Sequence, residues 1–402
     1  MKNLLLLSLF YLITTFAIAQ QSQENAGGNT APASSKWFDK VNVRGYAQVR
    51  YNRLLETNPL LKCEQCDRSW GEGGGFFMRR IRVIFYGRVS ERVYFYIQPD
   101  FASAASSNSL HFAQIRDAYF DIGLDSKNEF RFRIGQSKVP YGFENMQSSQ
   151  NRLPLDRNDA LNSPLRNERD LGIFFYWAPQ EKRQLYSRLS REGMKTSGDY
   201  GIVGFGVYNG QTANRPELNE GKHIVARVTY PFEVGSQIIE TSIQGFTGNY
   251  VLNSVTSGVK VAEGMDYLDE RIAATFVLYP RPFGIQAEYN IGSGPEYNKE
   301  TNSIENQPAK GGYITISYFK KFNDHLIIPF TRFQRYQGGK KHELDARSYD
   351  VTELEIGVEY QPSRNFELVT MYTISDRRFE DAVLRNNVQS GSLLRVQAQV
   401  NF

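Results

Sequence analysis

Long apolar runs are scarce in this chain. Beyond residue 19 no uninterrupted stretch approaches the roughly twenty residues that a transmembrane helix needs, so a helical membrane span is excluded for the rest of the sequence. Histidine is equally scarce. The four present, His111, His223, His325 and His342, fall at strand edges or in loops, without a serine nucleophile and an orienting acid in register. That leaves no catalytic residue to nominate, and the outer-membrane lipase or protease class loses its basis. Cysteine is limited to Cys63 and Cys66. In an exported chain this pair reads first as a local disulfide. A metal site would need two further ligands, and no His lies nearby, so no metal is expected. A thioredoxin-type redox pair would need a βαβ setting that is missing. Charge of one sign is not in excess: the formal net charge is +4, which points to no nucleic-acid partner. The GEGGG run at 71–75 is followed by no Lys-Ser/Thr and no helix start, so it is loop rather than a phosphate cradle. No cofactor is implied.

What is present is export, aromatics and alternation. Residues 1–19 read as a signal peptide, with Lys2 as the positive start, an apolar stretch over 4–13 and Ala17-Ile18-Ala19 before Gln20. About fifteen apolar residues precede Gln20, short of the roughly twenty of a span. No Cys follows the cleavage site, which argues against a lipoprotein. Residues 20–36 are small and polar, a flexible leader. The full sequence carries 24 Tyr, 27 Phe and 33 Gly, with a negative mean hydropathy. A transmembrane barrel accounts for these together, because each strand needs only half its residues apolar and aromatic girdles mark both interfaces. A soluble all-β domain would not leave one face of every strand apolar and the other charged along its whole length.

Alternation is plainest at the two ends. Val41, Val43, Gly45, Ala47, Val49 and Tyr51 alternate with Asn42, Arg44, Tyr46, Gln48, Arg50 and Asn52; Leu394, Val396, Ala398, Val400 and Phe402 alternate with Arg395, Gln397, Gln399 and Asn401. Sixteen such segments are expected, near 41–53, 76–89, 92–101, 112–123, 129–137, 169–178, 199–209, 222–230, 237–248, 266–279, 283–292, 311–319, 325–336, 350–360, 365–375 and 391–402. Short turns (90–91, 125–128, 231–236, 280–282, 320–324, 361–364) then fall on one side. Long loops (54–75, 102–111, 138–168, 210–221, 249–265, 293–310, 337–349, 376–390) fall on the other, and both termini lie on the periplasmic side. Residues 179–198 break the rule: a short turn is due there, and an extended hairpin or a small helix would fit instead.

The stretch 138–168 is the natural constriction. Compact folds rarely carry a structureless insert of that length without a use for it, and inside a barrel its sheltered place is the lumen. It holds Lys138, Arg152, Arg157 and Arg166 against Glu144, Asp156, Asp159 and Glu168, so it is neutral overall. Positions alternate to the lipid-facing ones give a basic arc of Arg44, Arg50, Arg80, Arg82, Arg88, Arg131 and Arg133 in the first five strands, with Asp100, Asp117 and Asp121. Glu288, Glu353, Glu355, Glu359 and Glu367 form an acidic arc in the later strands. A row of arginines in a narrow passage concentrates anions, and the guanidinium fork binds phosphate or carboxylate bidentately. Inward charges in such lumens also serve simply to pair across the wall.

FFMRRIRVIFYGRV with YFYIQPDF, DAYFDIG, RIGQSKVPYGFENMQSSQ with RNDAL, NERDLGIFFY and TELEIGVEYQPSRNFELVTMYTISDRR together resemble the phosphate-selective porins O and P, in order over about residues 40–178 and 350–402. The middle is similar in barrel pattern only. The resemblance implies a sixteen-stranded, trimeric channel of the Gram-negative outer membrane, with its third loop folded inward and an Arg ladder leading phosphate to a Lys-rich constriction. Arg79, Arg80 and Arg82 match the family's RR-x-R run. The loop departs from the pattern in offering only Lys138. The expectation is thus an outer-membrane porin, seated in lipid, passing small hydrophilic solutes with a preference for small anions. A general non-selective porin and a structural or docking barrel of an envelope assembly are the other readings.

Overall fold

The computed structural model describes residues 37–64, 66, 75–102 and 111–402, without the side chain of Arg53. The signal peptide and leader lie outside the described residues. Among the described residues sixteen wall strands follow one another. They are β1 Asn42–Leu54, β2 Phe77–Arg88, β3 Val93–Asp100, β4 Gln114–Gly123, β5 Phe130–Lys138, β6 Arg169–Trp177, β7 Val203–Tyr208 and β8 His223–Val234. Then come β9 Gln237–Val251, β10 Asp266–Leu278, β11 Phe283–Asn298, β12 Ser303–Tyr318 (continued after Phe319 by Lys320–Phe322), β13 His325–Gly339, β14 Ser348–Ser363, β15 Phe366–Glu380 and β16 Val388–Asn401. Every neighbouring pair is antiparallel, and β1 also pairs with β16, Tyr46 opposite Asn401 through Tyr51 opposite Val396, which closes the sheet into a barrel.

The side-chain distribution is that of a soluble protein turned inside out. Ile243, Ile272 and Ile291 are more than half exposed on the outer face, whereas Arg332, Arg377 and Arg395 have 0% of their surface exposed. An apolar exterior of this extent is stable only against hydrocarbon, and alternation with a period of two puts the other half of each strand into the lumen.

The structure departs from simple alternation in three ways. Two β-bulges each add one residue to a strand, Arg79 between Arg80 and Met78 opposite Gln48 and Val49, and Arg116 between Asp117 and Ile115 opposite Gln98 and Pro99. A bulge breaks the period of two, so Arg79 and Arg116, which strict alternation would turn outward, join the lumen beside Arg80 and Asp117. Pro99, with no N–H to give the ladder, suits such a site. Second, the loop expected over 293–310 is largely strand. β11 and β12 continue past the apolar band and turn only at residues 299–302. Above the lipid neither face has to be apolar, so polar SGPEYN and SIENQP can pair without showing any hydrophobic period. The connections after β13 and β15 are likewise shorter than expected, at 340–347 and 381–387. Third, residues 179–198 contain a helix, Gln180–Arg191, and the strand expected from 199 begins at Val203.

The third loop, 139–168, lies within the barrel. Its two single-turn helices are α1 Phe143–Met146 and α2 Asp159–Asn162, and every residue of both is buried. The helix Gln180–Arg191 is α3. Val139, Tyr141, Ala160 and Leu161 pack with Phe174, Tyr208, Phe246 and Tyr336 of the wall in one interior cluster. The chain enters the loop past Gly135, whose φ of +125° and whose Cβ position, 2.3 Å from the Ala118 carbonyl oxygen, leave room for no side chain.

Candidate functional site

The lumen is organised by what happens to the four carboxylates of the third loop. Glu144 pairs with Arg332 of β13 at 2.7 Å, and its other oxygen accepts from the main-chain and side-chain nitrogens of Asn158. Asp156 is held between Arg395 of β16 and Arg50 of β1, the latter at 3.2 Å. Asp159 meets Arg377 of β15 at 2.8 Å and Lys340. Glu168 meets Arg157 at 2.7 Å and Arg169 at 2.9 Å. Burial pushes the Asp156 carboxyl up, but Arg395 and Arg50 outweigh it and hold it well below the usual carboxylate range. Three of these four carboxylates are tethers to the wall, and the fourth joins the loop to the base of β6.

The acidic arc of the later strands is occupied by the same docking. Glu288 accepts from the amides of Phe143 at 2.6 Å and Glu144 at 2.9 Å, the free N–H groups that open α1. Glu353 pairs with Arg377 at 2.9 Å and Glu355 with Arg332 at 2.5 Å. Glu359 takes Lys195 at 2.6 Å, with Glu367 at 3.7 Å. On this side the lumen is filled with paired charge.

The opposite arc, β1 to β6, stays open as two cavities on either side of the loop. The cavity at the long-loop end, about 470 Å³, is lined by eight arginines (Arg79, Arg80, Arg82, Arg116, Arg152, Arg157, Arg166, Arg215) against four carboxylates (Glu64, Asp100, Asp156, Glu168). The cavity at the short-turn end, about 390 Å³, has eight cations (Arg44, Arg88, Arg92, Arg131, Arg133, Lys138, Arg169, Arg183) against three carboxylates (Asp117, Asp121, Asp199). Between them Arg169 bridges Asp117 and Glu168, at 2.9 Å to each. Burial lowers Arg157 to about 9, partly offset by Glu168.

The expected basic residues are placed unequally. Arg82 is paired with Asp100 at 2.8 Å and bonded to the Tyr46 hydroxyl; Arg131 is paired with Asp199 at 2.6 Å and Arg133 with Asp121 at 2.8 Å. Arg44 lies over Tyr86, and Arg88 donates to the Glu91 carbonyl. Arg50 is 1% exposed and sits beneath the loop, bonded to Asp156, Gln397 and the Leu155 carbonyl, so it faces the loop rather than either cavity. Lys138 donates to the carbonyls of Met146 at 2.8 Å and Gln147 at 2.5 Å, shaping the base of the loop. Arg166 contacts His342 through its main-chain N–H and guanidinium. Arg80, Arg116 and Arg152 make no ion pair among the described residues; Arg80 bonds Gln48 at 2.9 Å.

Alternation alone misses Arg79 and Arg116, which the bulges bring inward. It also leaves out the buried lysines of the 340–347 connection, Lys340 on Asp159 and Lys341 on Asp269, because nothing in their spacing shows that the connection folds into the barrel. Cys63 and Cys66 form a disulfide, and the Cys66 carbonyl accepts from Arg79 at 2.8 Å, so this turn helps to aim an arginine at the cavity.

No curated protein matches the sequence. Solved outer-membrane proteins share the fold, these three among them. The outer membrane channel DcaP of Acinetobacter baumannii is 12% identical with a TM-score of 0.54, over 94% of this chain and 100% of that one. The anion-selective porin from Comamonas acidovorans is 10% identical with a TM-score of 0.52, over 90% and 99%. The trimer form of OmpT, an outer membrane protein of Vibrio cholerae, is 12% identical with a TM-score of 0.51, over 90% and 100%. The family model for phosphate-selective porin O and P matches residues 62–402, including the middle of the chain, where only the barrel pattern is legible in the sequence. The inward third loop, the sixteen-strand wall and this match agree: the chain belongs to the phosphate-selective porin O and P family, outer-membrane channels of Gram-negative bacteria.

Proposed function

We propose that the channel passes small hydrophilic solutes with a moderate preference for small anions, phosphate among them. One observation carries this reading. The acidic groups of the loop and of the later strands are consumed in docking, whereas the open arc keeps an excess of arginine in both cavities. Uncompensated cations in a confined, low-dielectric passage raise the local anion concentration. Selectivity stays moderate because Asp100, Asp117, Asp121 and Asp199 line the same route. The family name and the anion-selective relative support the same sign.

The test is the reversal potential of the purified protein in a planar bilayer under a salt gradient. The anion-selective sign is expected, together with a smaller value when Arg80→Ala and Arg116→Ala are combined. Raising the salt to 1 M should weaken the preference, since the Debye length falls to about 3 Å. A cation-selective wild-type channel would favour a general porin. A homotrimer in lipid belongs to this reading, supported by the trimeric relative; a mass in mild detergent equal to one chain would contradict it.

A further inference from the structure

The connection between β6 and β7 stands apart from those at its end of the barrel, where 235–236 and 279–282 suffice elsewhere. We propose that residues 178–202 form a second, periplasmic constriction that limits the size of what the channel passes. The claim rests on the channel reading above and extends it to an element outside the third loop.

The geometry is that of a strap drawn across the mouth. α3 starts beside the β4–β5 turn, where the Gln180 amide donates to Glu129 at 2.9 Å. It ends beside the β10–β11 turn, where Glu192 pairs with Arg281 at 2.7 Å. Its apolar face, Leu185, Tyr186 and Leu189, packs inward on Ile238 and Val277 of the wall, on Tyr279 of the β10–β11 turn and on Phe143 of the third loop. Beyond the helix, Lys195 reaches Glu359 of β14 at 2.6 Å. β14 is eight strands round the wall from β6, the far side of a sixteen-strand barrel. The chain then returns, and Asp199 is clamped by Arg131 of β5 at 2.6 Å and by Arg183 of α3 at 2.9 Å.

Two consequences follow from this placement. The Lys195 carbonyl accepts from Gln147 at 2.5 Å, so the strap supports the third loop from below. Thr196, Ser197, Gly198 and Tyr200 form one wall of the cavity whose other walls carry Arg44, Arg131 and Arg133. A solute leaving the loop constriction therefore passes between the strap and the arginine arc. Turns in this architecture are short as a rule, and a helix with a buried apolar face, followed by a cross-lumen ion pair, has no part in joining two adjacent strands.

The experiment compares single-channel conductance and the uptake of neutral sugars of graded size in proteoliposomes. Wild type is set beside a barrel with residues 180–198 replaced by a short Gly-Ser turn and beside Lys195→Gln. Folding of each is checked by its heat-dependent gel mobility. The shortened barrel should conduct roughly twice as well as wild type, because pore cross-section sets the current, and should admit larger sugars. Lys195→Gln should shift both in the same direction by less. Equal conductance and an equal sugar cut-off in the folded shortened barrel would overturn the proposal. If that barrel does not fold, unchanged values for Lys195→Gln overturn it. Current that appears only when the strap is removed supports the strap and sinks the open-channel reading, whereas absence of current in every folded variant sinks both.

Discussion

Asp156 carries more of the lumen's order than any other loop residue, because it ties the loop to two buried guanidiniums on different strands, Arg50 and Arg395. Asp156→Ala should cost about 3–5 kcal/mol, the usual penalty for removing one partner of a buried ion pair. Thermal unfolding should show the loss, and open-channel noise should rise as the loop comes away from β16. The pH dependence follows from the same geometry. A carboxylate whose folded-state pKa is depressed contributes stability above its unfolded value and loses it as pH falls through the folded one. Asp156 is such a group, so loop docking should persist from neutral pH down to about 4 and weaken only below it. Conductance and melting temperature recorded against pH check this; a loss between pH 7 and 5 would contradict the assignment.

At the scale of elements, the third loop behaves as part of the wall. Its first helical turn is held by Glu288, which takes the two leading amides of α1. Glu288→Ala should therefore speed hydrogen exchange over residues 143–147 while the strands keep their protection. Equal exchange in both proteins would mean that the tethers of Glu144 and Asp159 suffice. Strands and loop were readable in the sequence because the lipid imposes a period of two and because an insert as long as 138–168 has few places to go. Reading failed where no apolar period is imposed. The β11–β12 hairpin above the membrane is polar on both faces, and the two bulges move Arg79 and Arg116 across the sheet without changing composition. For the strap a signal did exist: Leu185, Tyr186 and Leu189 recur at helical spacing among charged residues, a one-sided stripe that needs something to pack on.

Across the whole molecule, sequence order maps onto function by sides. The first six strands and the adjoining loops supply most of the open arginine arc, and the later strands most of the docking surface. Arg50 and Arg169 are the exceptions that anchor from the early strands. The charge segregation visible in the sequence thus largely separates passage from anchorage. It was misleading in one respect. The glutamates of the later strands looked like a competing acidic lining, and their partners, Arg332, Arg377 and Lys195, became apparent only in three dimensions. This division is the central claim, and anomalous diffraction from crystals of the purified protein soaked in bromide tests it most directly. Bromide should concentrate along the open arc, near Arg79, Arg80, Arg116 and Arg152 and again near Arg44 and Arg92, and be absent around Arg332, Arg377 and Arg395. Equal occupancy on both sides, or peaks only on the outer surface, would contradict the account.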